Sequence, residues 1–148
     1  MDWKTLKNNT SELLLIDKKS LRNLEANEDA LDQNIKYWIR TGKLIPLKKG
    51  LYVLGETWEK EQDKNGYVEY IANRLLVPSY VSLEYVLAKY GLLTEAPAAV
   101  TSVTVKTGRS FNNLLADFNY NSISESLFTG YAVKNFQGAF VNVAQKEK

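Results

Sequence analysis

The chain has no cysteine and no histidine among its 148 residues. Without thiols there is no disulfide framework and no thiolate metal site. With imidazole absent too, the usual zinc sites and every histidine-based triad are excluded. Proline is scarce, and no run approaches the roughly 18 continuous apolar residues of a membrane span. The opening Met-Asp-Trp-Lys has neither the apolar core nor the cleavage site of a signal peptide. A cytoplasmic location with no membrane partner is the default expectation. There is no phosphate-binding glycine loop, no paired-carboxylate motif and no internal repeat. Ser79, Ser82 and Lys89 are not a Ser-Lys dyad on spacing alone. The chain is not expected to be an enzyme, and no cofactor or metal is expected.

What is present is an ordinary globular composition, 45% hydrophobic, long enough for one domain or two small ones. The net charge of +2 says little as a total. Its distribution says more: residues 1–55 carry ten Lys/Arg against seven Asp/Glu, and residues 56–148 carry nine against ten. The positive field belongs to the first part, as suits a nucleic-acid reader joined to a neutral domain.

Residues 27–54 are the most informative stretch. Asn27 is a good helix N-cap, and Glu28 and Asp29 follow at the positive end of the helix dipole. Leu31, Ile35, Trp38 and Ile39 form one apolar stripe that must be buried, and Gly42 is placed to end the helix in a left-handed conformation. The opposite side carries Gln33, Lys36, Tyr37 and Arg40, all able to contact base edges or phosphates. Leu44–Leu47 and Leu51–Leu54 then read as two strands around a Lys48-Lys49-Gly50 turn, with Pro46 requiring a sheet edge. From Gln33 to Gly55 there are five basic residues, Lys36, Arg40, Lys43, Lys48 and Lys49, and no acid. Alone, a Lys-Lys-Gly turn is a solvated hairpin tip. Joined to such a helix, it is how a winged helix-turn-helix meets double-stranded DNA. Glu28, Asp29 and Asp32 weigh against this, because they sit near the helix end that usually enters the groove.

Upstream, Leu13–Ile16 is an apolar run that Leu21 and Leu24 continue at helical spacing. Asp17 to Leu24 would be the first helix of the helix-turn-helix, turning Lys18, Lys19 and Arg22 toward flanking phosphates. Asp2 to Asn8 would be a lead helix packing Trp3 onto this unit. Residues 57–66 are polar, end in Asn-Gly and read as a linker. Helices are then expected over Tyr67–Val77 and Ser82–Tyr90, and strands at Val100–Lys106, within Ser110–Ile123, and as a hairpin of Tyr131–Phe136 with Ala139–Ala144. The many aromatics of this half read as core packing rather than as base-stacking platforms. The expected fold class is α+β: an N-terminal winged helix-turn-helix over residues 1–56, the linker 57–66, and a small α+β domain over 67–148, two helices then antiparallel strands.

The order of these pieces resembles a family. Gly42 to Val53 looks like its winged-helix signature, and Tyr70–Leu75 with Pro78–Leu87 resembles its central block. Tyr90-Gly91-Leu92, Val100–Thr104 and Leu127–Tyr131 match the remainder. The chain is similar to the AbiEi antitoxins, the regulators of AbiE abortive-infection toxin–antitoxin systems of phage defence. The resemblance implies a winged helix that binds an inverted-repeat operator and represses its own operon. It also implies a nucleotidyltransferase-type toxin as functional partner, counteracted in a type IV relation without direct contact. Family members continue past an Ala-x-Pro segment, where this chain has Ala144-Gln145-Lys146. The second domain is therefore expected to be incomplete at its C-terminus, as a natural short form or as part of a longer protein. The rival expectation is a winged-helix protein-interaction module without DNA binding.

Overall fold

The structure, a computed structural model, describes residues 2–82, 85 and 99–145. It is α+β, with five α-helices, one short 3-10 helix and two sheets among the described residues. The chain divides into two compact units, Met1–Gln62 and Asp63–Lys148.

In the first unit, α1 (Trp3–Thr10) starts at Asp2, whose carboxylate accepts the Thr5 amide at 2.8 Å. The apolar run that follows does not extend a helix. Leu13 stays exposed, and Ile16–Asp17 form a two-residue strand, β1, antiparallel to a later strand. Asp17 then caps α2 (Lys18–Arg22) by accepting from the Ser20 amide at 2.7 Å, so this helix is shorter than the 17–24 expected. Helix α3 (Glu28–Arg40) begins under Asn27, whose side chain accepts from the Ala30 amide at 3.0 Å. Strands β2 (Leu44–Lys48) and β3 (Leu51–Leu54) turn at Gly50, which takes φ +81°. The sheet order is β1-β3-β2, which puts Pro46 on an edge strand where its missing N–H costs no ladder bond. Leu6, Ile16, Leu21, Leu31, Ile35, Trp38, Leu44, Tyr52 and Leu54 form one core, with Trp3 and Ile39 packed against it.

Residues 57–66, expected as a linker, are largely helical, and the division between the two units falls within them. Helix α4 (Gly55–Lys60) runs through the first part, and α5 (Lys64–Leu75) through the last. Two local interactions account for this: Lys60 pairs with Glu56 one turn earlier, and Asp63 caps α5 by accepting from the Gly66 amide at 2.9 Å. The Asn65-Gly66 pair, read as a turn, is inside the first turn of α5.

The second unit packs α5 on a six-stranded sheet of β4 (Ser79–Val81), β5 (Val100–Thr104), β6 (Arg109–Asn112), β7 (Asp117–Ser122), β8 (Tyr131–Phe136) and β9 (Ala139–Ala144). The order is β6-β7-β5-β4-β9-β8. The expected all-antiparallel arrangement is corrected: β4 with β9 and β5 with β7 run parallel, and the other three pairings antiparallel. Strand β4 itself was not expected. The helix expected over Ser82–Tyr90 lies outside the described residues except at Ser82 and Tyr85. Asn73 of α5 docks on β9 reciprocally, its carbonyl accepting the Asn142 amide at 2.6 Å and its amide donating back at 3.2 Å. Tyr67, Tyr80 and Phe118 are fully buried, as core aromatics should be.

Candidate nucleic-acid interface

Helix α3 presents two unlike faces. Leu31, Ile35 and Trp38 are buried and Ile39 is half-buried, so Gln33, Lys36, Tyr37 and Arg40 are left on the exposed side. Tyr37 organises the cations near it. The Arg40 guanidinium carbon lies 5.4 Å from the centre of the Tyr37 ring and the Lys43 ammonium 6.0 Å from it. The same Lys43 ammonium sits 5.4 Å from the Trp3 ring, and Trp3 meets Trp38 at 5.5 Å. Trp3 thus buttresses this patch from α1. No sequence spacing marked that contact, because it joins residues far apart in the chain. Each cation held over a ring is steered toward one direction instead of sweeping freely.

Lys48 ends β2 and Lys49 lies in the turn, both exposed. The turn is tied back to α2 by a hydrogen bond from the Lys18 amide to the Gly50 carbonyl at 2.9 Å. Helix α2, the hairpin tip and α3 are therefore parts of one framework within this unit.

The cations of α2 are placed differently from the sequence expectation. Lys18 is bound to Asp32 at 2.6 Å and to Glu28 at 3.4 Å, and Arg22 to Glu28 at 3.3 Å. The Asp32 carboxylate holds the Lys18 ammonium above its ordinary pKa, and Glu28 adds to it. Two of the three α2 cations, Lys18 and Arg22, thus neutralise acids of the first turns of α3 rather than standing ready for phosphate. Lys19 remains exposed. The result along α3 is bipolar: Glu28, Asp29 and Asp32 at its start, Lys36, Arg40 and the adjoining Lys43 at its end. That polarity also suits the helix dipole, so it stabilises the helix whether or not a ligand binds.

Among the described residues, no cluster of three or more acids is placed to hold a metal ion, and no helix is long and apolar enough to cross a membrane. Comparison with protein-family models, with curated proteins and with solved structures finds no match for the chain.

Proposed function

We propose that the first unit is a winged helix-turn-helix that reads double-stranded DNA with the exposed face of α3 and grips phosphate through the β2–β3 turn. In this reading the chain is a cytoplasmic transcriptional repressor of the AbiEi antitoxin type, acting on an inverted-repeat operator of its own operon. Its functional partner is a nucleotidyltransferase-type toxin, which the second unit serves to counteract without direct contact. The observation that carries the reading is the exposed Gln33, Lys36, Tyr37 and Arg40 face, opposite a buried stripe and followed at once by a Lys48-Lys49 turn. The element order α1-β1-α2-α3-β2-β3, with the short β1 beside the hairpin, supports it, as does the sequence resemblance to the family.

A second reading, a protein-docking module, is favoured by the pairing of Lys18 and Arg22 with acids, which lowers the field available to phosphate. Binding to the DNA upstream of the gene, measured across a salt series, separates the two, because phosphate contacts release counterions. Arg40→Ala should lose about 1–3 kcal/mol, concentrated on one operator position. Alanine at both Lys48 and Lys49 should weaken all sequences alike and lower the log–log salt slope by roughly two units. Equal binding by wild type and both variants at every salt would reject this surface.

A further inference from the structure

We infer that the outer edge of β8 is a self-pairing surface, through which two copies of this chain join their six-stranded sheets. The turn sets which backbone groups are available. Gln137 and Gly138 both have positive φ, 52° and 87°, and connect Phe136 to Ala139 as a two-residue turn. Such a turn closes on a hydrogen-bonded pair, here Phe136 with Ala139. Bonded and non-bonded pairs alternate along an antiparallel ladder, so Phe136, Lys134 and Ala132 exchange bonds with β9. The N–H and C=O groups of Tyr131, Val133 and Asn135 point the other way. Among the described residues no strand pairs with that side of β8.

Edge strands of this length are usually guarded by charge, proline or a bulge. β8 pairs with β9 over six residues with no break in register, contains no proline, and has Lys134 as its one charged residue. Lys134 is ion-paired with the fully buried Glu69 of α5, so its charge is already compensated. The opposite edge, β6, differs: it has four residues and carries the exposed Arg109. β8 also brings apolar surface. Val133 is 56% exposed and Phe140, diagonal to it on β9, 70% exposed, both on the face away from α5.

The occupant that fits is a second copy. Two β8 strands meeting antiparallel about Val133 place Val133 opposite its own counterpart and Tyr131 opposite Asn135. Every outward donor then meets an outward acceptor, giving roughly six hydrogen bonds without like charges facing one another. The side chains of the two Val133 residues adjoin on one face. This inference does not depend on the DNA-binding reading.

The test is the mass of the full chain in solution across a concentration series. The wild type should shift from 16.8 kDa toward twice that value. Val133→Pro removes an outward N–H without touching the β8–β9 ladder, and should remain at the single-chain mass at every concentration. Because the chain has no cysteine, Val133→Cys introduces the only thiol. On mild oxidation it should form a covalent dimer at least tenfold faster than Leu114→Cys, whose site is 82% exposed but lies in the β6–β7 turn. A wild type that stays at single-chain mass throughout overturns the inference and leaves the edge to a strand of another protein. Dimerisation undiminished in a folded Val133→Pro, or equal cross-linking at Leu114→Cys, also overturns it.

Discussion

Glu69 is the one buried charged side chain among the described residues. It is fully buried on α5, with one carboxylate oxygen on Lys134 and the other accepting from the Tyr85 hydroxyl at 2.9 Å. Burial, then the neighbouring Glu69 charge, pushes the Tyr85 phenol well above its ordinary pKa, so it stays a donor at neutral pH. Removing one partner of a buried pair leaves the other charge uncompensated, which costs about 3–5 kcal/mol when both are buried. The Lys134 ammonium retains partial access to water, so Glu69→Ala should cost about 3 kcal/mol, at the low end of that range. Glu69→Gln, which still accepts from Tyr85, should cost less. Urea unfolding of both variants checks this, and equal losses would assign the whole effect to the lost charge. Glu56 behaves differently because it is only half-buried. Lys60 first, then Lys7, holds its carboxyl down from 4.5 to about 2. A depressed carboxylate pKa stabilises the fold above the unfolded value, and that contribution fades as pH falls toward 2. A carboxyl titration of Glu56 by NMR should show this midpoint at low salt and a rise with added salt. An unshifted midpoint at low salt would mean that Lys60 and Lys7 do not hold it in solution.

At the scale of elements, the junction of α2 and α3 is the informative one. Glu28 and Asp32 occupy Lys18 and Arg22, so the Glu28→Gln/Asp32→Asn double variant should free two cations. Non-specific DNA affinity should then rise, and the log–log salt slope steepen by up to two units. The helix itself should lose about 0.3–1 kcal/mol per acid removed from its first turns. Fluorescence anisotropy with an unrelated duplex measures the gain, and an unchanged slope would mean that α2 faces away from DNA. This ion-pair network was invisible to sequence reading because Lys18 and Asp32 lie on different helices, and no periodicity links them. Elements specified by local signals were legible. Helix α3 starts and ends beside its Asn27 and Gly42 signals, and the Tyr131–Phe136 and Ala139–Ala144 hairpin has the strands its pattern predicts. Elements made by distant pairing were not. β4 is three residues long and gets its identity from Thr104 and Val143, far along the chain. β1 exists only because Ile16 meets Tyr52.

At the scale of the whole molecule, charge and fold divide at similar places. The cationic excess is confined to residues 1–55, and the contact boundary falls between Gln62 and Asp63. Each unit has a sheet and helices of its own, and nine buried side chains of the first pack into one cluster. Residues 1–62 expressed alone should therefore unfold cooperatively on heating and, if the proposed function holds, retain the DNA affinity of the full chain. A domain of this size has little buried surface to spare, so its melting temperature should be modest. Non-cooperative melting of the fragment would mean that the units depend on each other for stability. The face of α3 and the packing of Trp3 onto this unit were legible in the sequence, whereas the placement of Lys43 near both the Trp3 and Tyr37 rings required the tertiary structure.

The joint behind α3 bears on how the proposed reader would change its target. Gly42 turns the chain at φ +79°, and its carbonyl oxygen lies 2.2 Å from where a Cβ on Gly55 would be. The Gly55 amide donates to the Lys43 carbonyl at 2.9 Å, which locks the same corner. A side chain at Gly55 would strike that carbonyl and one at Gly42 would be strained by its positive φ, so both positions favour glycine where the helix leaves for the hairpin. Gln33, Lys36, Tyr37 and Arg40 stand outside that corner. If the proposed function holds, the four can be exchanged as a cassette, leaving target preference free to drift while the scaffold stays fixed.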